Sequence, residues 1–126
     1  WRPKSFAGER QFQSAYIENL RVVLAALTVG ELEEFNRVFS QLYWRAFRGE
    51  LWSMARLITG YWSRDGFDYF RAWLVSEGRD AFEDVLECPE RVADYLRRDY
   101  YPSFQELLGL ADSILAAMRG GDGQEV

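Results

Sequence analysis

The sequence predicts an all-α fold, a compact single domain of six or seven helices with no sheet, and three observations carry that prediction. Apolar residues recur at helical spacing along most of the chain. No stretch alternates with period two for more than about five residues, so no strand is needed. Capping residues precede the periodic segments and glycines follow them, with no repeat, linker or low-complexity tract between. A chain of 126 residues has room for one domain, spanning 1–126, that buries about two-thirds of its unfolded surface.

From Gln11 to Leu27, Phe12, Tyr16, Leu20, Val23, Leu24 and Leu27 share one helical face. The run "TVGE" sets Thr28 three residues ahead of Glu31, a capping box. It opens a second helix with Leu32, Phe35, Phe39, Leu42 and Tyr43 on one stripe, ending near Gly49. A third helix, Glu50 to Thr59, turns Leu51, Met54, Ala55 and Ile58 inward, and Gly60 supplies a left-handed C-terminal cap. Ser63 or Asp65 caps a fourth, which carries Phe67, Phe70, Trp73 and Leu74 and stops at Gly78. Arg79 to Glu87 forms a shorter helix with Phe82, Val85 and Leu86 inward, and Pro89 suits the first turn of another carrying Val92, Tyr95 and Leu96. The C-terminal helix, about 103–118, begins at Pro102 or Ser103, carries Leu107, Leu110, Ile114 and Leu115, and stops at Gly120, which leaves 119–126 as a flexible tail.

Composition narrows the function. Hydrophobic residues make up 48% and charged ones 28%, a globular balance, and the runs "VVLAAL" and "ILAAM" are far too short to span a bilayer. The single thiol, Cys88, has neither a disulfide partner nor a histidine for a zinc site, and no signal segment opens at Trp1; a cytoplasmic protein is the expectation. A chain without histidine lacks Ser-His and Cys-His catalysis, and it holds no phosphate-cradling glycine motif. No catalytic residue and no cofactor is therefore expected. The net charge of -5 is unevenly spread: residues 1–64 carry nine basic and six acidic groups, residues 65–126 six and fourteen. Such a split steers a charged partner, while an acidic whole disfavours non-specific nucleic-acid binding.

Two groups of residues are candidate sites. On a continuous third helix Arg48, Trp52 and Arg56 stand four apart, and with Arg45 they form a face where guanidinium groups flank an indole. That face suits a base, a phosphate or a partner's carboxylate; an ordinary solvated face with Arg stems covering a ring has the same residues. The second group is Arg64, Asp65, Asp68, Arg71 and Arg79, in a stretch dense with aromatic residues. Its arginines suit a phosphate and its two aspartates Mg²⁺ or Ca²⁺. Helix caps and ion pairs, Arg71 with Asp68 at i, i+3 among them, explain the same residues, and two carboxylates are too few for an ordered Ca²⁺ loop, so no metal is expected.

The central residues resemble a bacterial family, domain of unknown function 4240 (DUF4240). Its members carry a Leu-Trp segment leading to an isoleucine-rich stretch, a Gly-Gly-Cys-Ser-Asp-Asp-Gly-Phe turn, a Tyr-Phe-Arg-x-Trp-Leu helix and a Gly-Arg start to the next. The matching residues are Leu51, Trp52, Ile58, Gly60, "S.DGFDYFRAWL" from Ser63 to Leu74, Gly78, Arg79, Phe82, Glu83, Leu86 and Pro89, so the resemblance covers about residues 20 to 95. Tyr61, Trp62 and Arg64 depart from the turn, which alters any two-acid site there. The resemblance implies a small helical fold and no established activity.

The expectation is a non-catalytic domain that recognises a protein partner through Arg45, Arg48, Trp52 and Arg56 or through its acidic second half. The alternative is a phosphorylated-ligand or nucleotide-binding domain, or a metal-dependent enzyme, using residues 63–79. Inward, pocketed arginines at 64, 71 and 79 favour the alternative; exposed arginines paired with acids favour the interaction domain.

Overall fold

In the computed structural model, which describes residues 6–60, 63–96 and 102–123, six α-helices run Phe6–Ala25 (α1), Val29–Arg45 (α2), Gly49–Thr59 (α3), Arg64–Ser76 (α4), Arg79–Glu87 (α5) and Leu110–Gly123 (α6). Two 3₁₀ segments, Pro89–Tyr95 and Gln105–Leu107, lie between α5 and α6. Among the described residues no strand occurs, in keeping with the all-α expectation, and no helix is long and apolar enough to cross a membrane.

The helix α4 is the axle of the fold. It buries Phe67, Phe70, Arg71, Ala72, Trp73 and Leu74, so its middle turn faces protein on nearly every side. Around it pack α2, α3, α5 and the second 3₁₀ segment, with Leu51, Ala55, Phe82, Val85, Val92 and Phe104 completing one core. A second cluster, Leu24, Leu32, Leu110, Ala111, Ile114 and Leu115, joins α1, α2 and α6. The chain before α6 is tied to both layers: the Phe104 N–H donates to the Tyr69 carbonyl at 3.0 Å, and Gln13 Nε2 to the Ser103 carbonyl at 2.9 Å.

Local signals account for most boundaries. Thr28 and Glu31 form both arms of the capping box, at 3.1 and 2.9 Å. Ser63, rather than Asp65, caps α4 by accepting from the Gly66 N–H at 3.1 Å. Gly60 closes α3 with φ 79°, in the left-handed region.

Three segments differ from the periodicity. The helix α2 ends at Arg45, with Ala46 buried at its C-terminal cap and Arg48 extended as the residue that starts α3. Pro89–Tyr95 winds as a 3₁₀ helix, in which residues three apart eclipse, so Val92 and Tyr95 both face the neighbouring helices. Gly109, at φ 77°, breaks the C-terminal pattern, and α6 starts at Leu110 and runs through Gly120 to Gly123. Residues 124–126 of the expected tail, and the family-departing Tyr61 and Trp62, lie outside the described residues.

Candidate functional site

Arg71 is fully buried in the middle of α4, the only charged residue among the buried ones described. Its position follows from spacing: four residues after Phe67 and three after Asp68, it faces the end of α2. There the last carbonyls of a helix lack intrahelical donors, and Arg71 Nη1 donates to the Tyr43 carbonyl at 3.0 Å. A cation at a helix C-terminus also answers the macrodipole. Nη2 donates to Asp68 Oδ1 at 2.6 Å, a charge-assisted pair. Nε makes no hydrogen bond among the described residues.

Aromatic rings enclose this guanidinium. Its carbon lies 3.9 Å from the Tyr43 ring centroid, 4.8 Å from those of Phe47 and Phe67, and 5.3 Å from that of Trp44. Cation–π attraction is strongest where both groups are desolvated, so the cage compensates part of the cost of burying a charge. Burial, and then a hydrogen bond with Asp68, push the Tyr43 hydroxyl up to about 12.

Above the cage the chemistry turns outward. Trp44 is 54% exposed and Phe47 38%, their centroids 5.5 Å apart. Arg64, in the first turn of α4, lies 4.8 Å from the Phe47 centroid and 5.9 Å from that of Trp44. Its Nε donates to Asp68 Oδ1 at 3.3 Å, and its two terminal nitrogens carry no hydrogen bond among the described residues. Asp68 thus joins the buried Arg71 to the exposed Arg64.

The first sequence-based group is dispersed over this frame. Trp52 is half-buried, stacked on Phe67 at 4.9 Å and edge-on to Phe47 at 6.0 Å. Arg48 precedes α3 and reaches away to the Leu86 carbonyl near the end of α5, at 3.2 Å, while Arg56 is half-buried. Arg45 forks onto both oxygens of Glu83, at 2.9 and 2.8 Å, and holds that carboxyl below its usual range.

The second group divides. Arg64, Asp68 and Arg71 form the cage and its rim. Asp65 is exposed in the first turn of α4. Arg79 starts α5 beside a groove walled by Leu42, Val75, Phe82 and Glu83, and its charge acts on the same carboxylate that Arg45 grips. Among the described residues, no three Cys, Asp or Glu side chains gather in a way that could hold a metal ion.

Trp44, Phe47 and the Tyr43 carbonyl were not singled out from the sequence. Trp44 had one usable signal: it is the large aromatic that falls off the inward stripe of α2.

A family model described as a protein of unknown function, DUF4240, matches residues 4–116, a wider span than the residues that carry the resemblance. No curated protein and no solved structure matches the chain.

Proposed function

We propose that this chain, which belongs to the DUF4240 family, is a non-catalytic interaction domain that captures an acidic, apolar-flanked segment of a protein partner on Trp44, Phe47 and Arg64. The observation that carries this reading is Arg64 lying over two adjacent exposed rings. Tryptophan and arginine are the side chains that most often dominate interface energy, and here Trp44 and Arg64 meet in one exposed patch. Asp68 fixes one edge of the Arg64 guanidinium, which leaves the other for a bidentate carboxylate. The cage beneath holds the rings in place before binding, which lowers the entropy lost on association.

The phosphate alternative has less support. Arg71 is spent inside the protein on Asp68 and Tyr43, and Arg79 stands beside a different groove, next to Glu83. We place the interaction in the cytoplasm on the strength of the lone Cys88, whose thiol is held up by the hydrogen bond it donates to Glu90 at 3.1 Å.

The test is selection from a displayed random-peptide library on the immobilised chain. The expected result is enrichment of peptides that combine Asp or Glu with an aromatic or long aliphatic residue. Arg64→Ala and Trp44→Ala should each weaken those peptides by roughly tenfold while the chain stays folded. No enriched family, or enriched peptides that bind both variants as well as the parent, would overturn the reading.

A further inference from the structure

A second concavity, which shares Trp44 with that surface, lies between α2 and the start of α6. It encloses about 300 Å³, at the lower end of the range for small-molecule clefts. Four aromatic side chains of α2, Phe35, Phe39, Tyr43 and Trp44, line it, and no Lys or Arg does. Phe39 and Tyr43 stack at 6.2 Å and 17°, and Trp44 stands edge-on to Tyr43 at 5.4 Å and 79°. Its single ionisable acid is Asp112, in the first turn of α6, whose Oδ1 accepts from Asn36 Nδ2 at 2.7 Å. That bond aims the carboxylate and leaves Oδ2 without a hydrogen bond among the described residues. Ser40 adds a hydroxyl at the rim.

We propose that this groove is a binding site for an organic ammonium cation: an amine or quaternary ammonium with a small apolar hull. An aromatic lining suits a cation, the carboxylate supplies a full charge, and the apolar walls match an alkyl hull. An anion would meet Asp112 with no cation among the lining residues to offset it, and a neutral apolar ligand would leave that exposed carboxylate unused. Two positive features lie near, and both are already answered. The amino end of α6 has Asp112 in its first turn, and Arg71, behind the Tyr43 ring, is ion-paired with Asp68 and fully buried. A free amine and the lysine side chain of a polypeptide offer the same chemistry.

The test is calorimetric titration of the full chain with n-butylammonium and tetramethylammonium chloride, against tert-butanol as an uncharged probe of similar size and sodium acetate as an anion. The ammonium probes should bind saturably and the other two should not. Asp112→Asn keeps the acceptor for Asn36 and the shape but removes the charge, and should weaken n-butylammonium by roughly tenfold. Ser40→Trp, on the exposed side of α2, should fill the groove and abolish binding. Asp112→Asn alters none of Trp44, Phe47 and Arg64, so it should retain the acidic peptides selected above, which keeps the two proposals separable. A lysine-containing tripeptide that binds more tightly than n-butylammonium assigns the cation to a polypeptide; equal or weaker binding assigns it to a free amine. Saturable binding of tert-butanol as tight as that of the ammonium probes, unchanged affinity in Asp112→Asn, or no saturable ammonium binding overturns the proposal.

Discussion

The guanidinium of Arg71 lies 3.9 Å from the ring centroid of Tyr43 and donates at 3.0 Å to that same residue's carbonyl. One residue of α2 thus receives Arg71 twice, through its ring and through the carbonyl left open at the helix end. The contact joins positions 28 residues apart and fixes how α4 seats against α2.

Asymmetry between the ion-pair partners follows. Asp68→Ala leaves Arg71 buried without its counter-charge and should destabilise the protein by about 3 kcal/mol or more. Arg71→Met keeps an apolar stem in the cage, while Asp68 retains Arg64 and partial contact with water. Its expected cost is smaller, about 1–3 kcal/mol. Urea unfolding of both variants checks the order, and a larger loss for Arg71→Met would show that ring packing outweighs charge pairing here.

The two tryptophans at the α2–α3 corner should separate stability from binding. Trp52 stacks on the buried Phe67, so Trp52→Ala should cost about 2 kcal/mol or more. Trp44 is mostly exposed, and Trp44→Ala should cost at most about 1 kcal/mol while weakening peptide capture roughly tenfold. Chemical denaturation beside peptide binding reads both quantities.

Alkaline pH should loosen the cage. Burial, then the hydrogen bond with Asp68, raise the Tyr43 hydroxyl from 10.0 to about 12, so the fold favours the neutral phenol. The stability it contributes is complete below pH 10, where the unfolded chain also keeps its proton, and is lost as pH climbs through about 12. Tyr43→Phe should flatten that decline, leaving the part due to Tyr95, whose hydroxyl is also raised by its bond to Asp84. Melting temperatures across this interval test it, and equal slopes for parent and variant would contradict the assignment.

Two glycines should differ in what they tolerate. An added Cβ at Gly60 or Gly78 meets nothing within 4 Å, so only backbone conformation is at issue. Gly60, at φ 79° and ψ -1°, is left-handed helical, and Gly60→Ala should cost about 1 kcal/mol. Gly78, at φ 106° and ψ 170°, occupies a region essentially confined to glycine, and Gly78→Ala should cost about 2–3 kcal/mol. Paired thermal denaturations decide the order.

What could be read from the chain was whatever neighbours in sequence settle among themselves. The Thr28 and Glu31 capping box, the Gly60 stop, the bounds Arg79–Glu87 and the Arg71 to Asp68 pair all act within one turn of helix. The site was less legible, because its groups meet across long separations. Arg45 and Arg79, assigned to different candidate sites, share Glu83; Arg48 turns to Leu86 rather than to Trp52. Nothing local tells a solvated Arg71 from a caged one, since its i, i+3 pairing is the same in both.

By itself, then, the sequence determined an all-α chain, the helix breaks at Gly60 and Gly78, its charge polarity and its family. Only the tertiary structure decided which arginine is buried, which tryptophan faces water, and that α2 and α6 enclose a groove ending at Asp112. The reason is physical: helix formation and capping are governed by residues three or four apart, whereas burial, desolvation and pocket shape depend on which helices pack together.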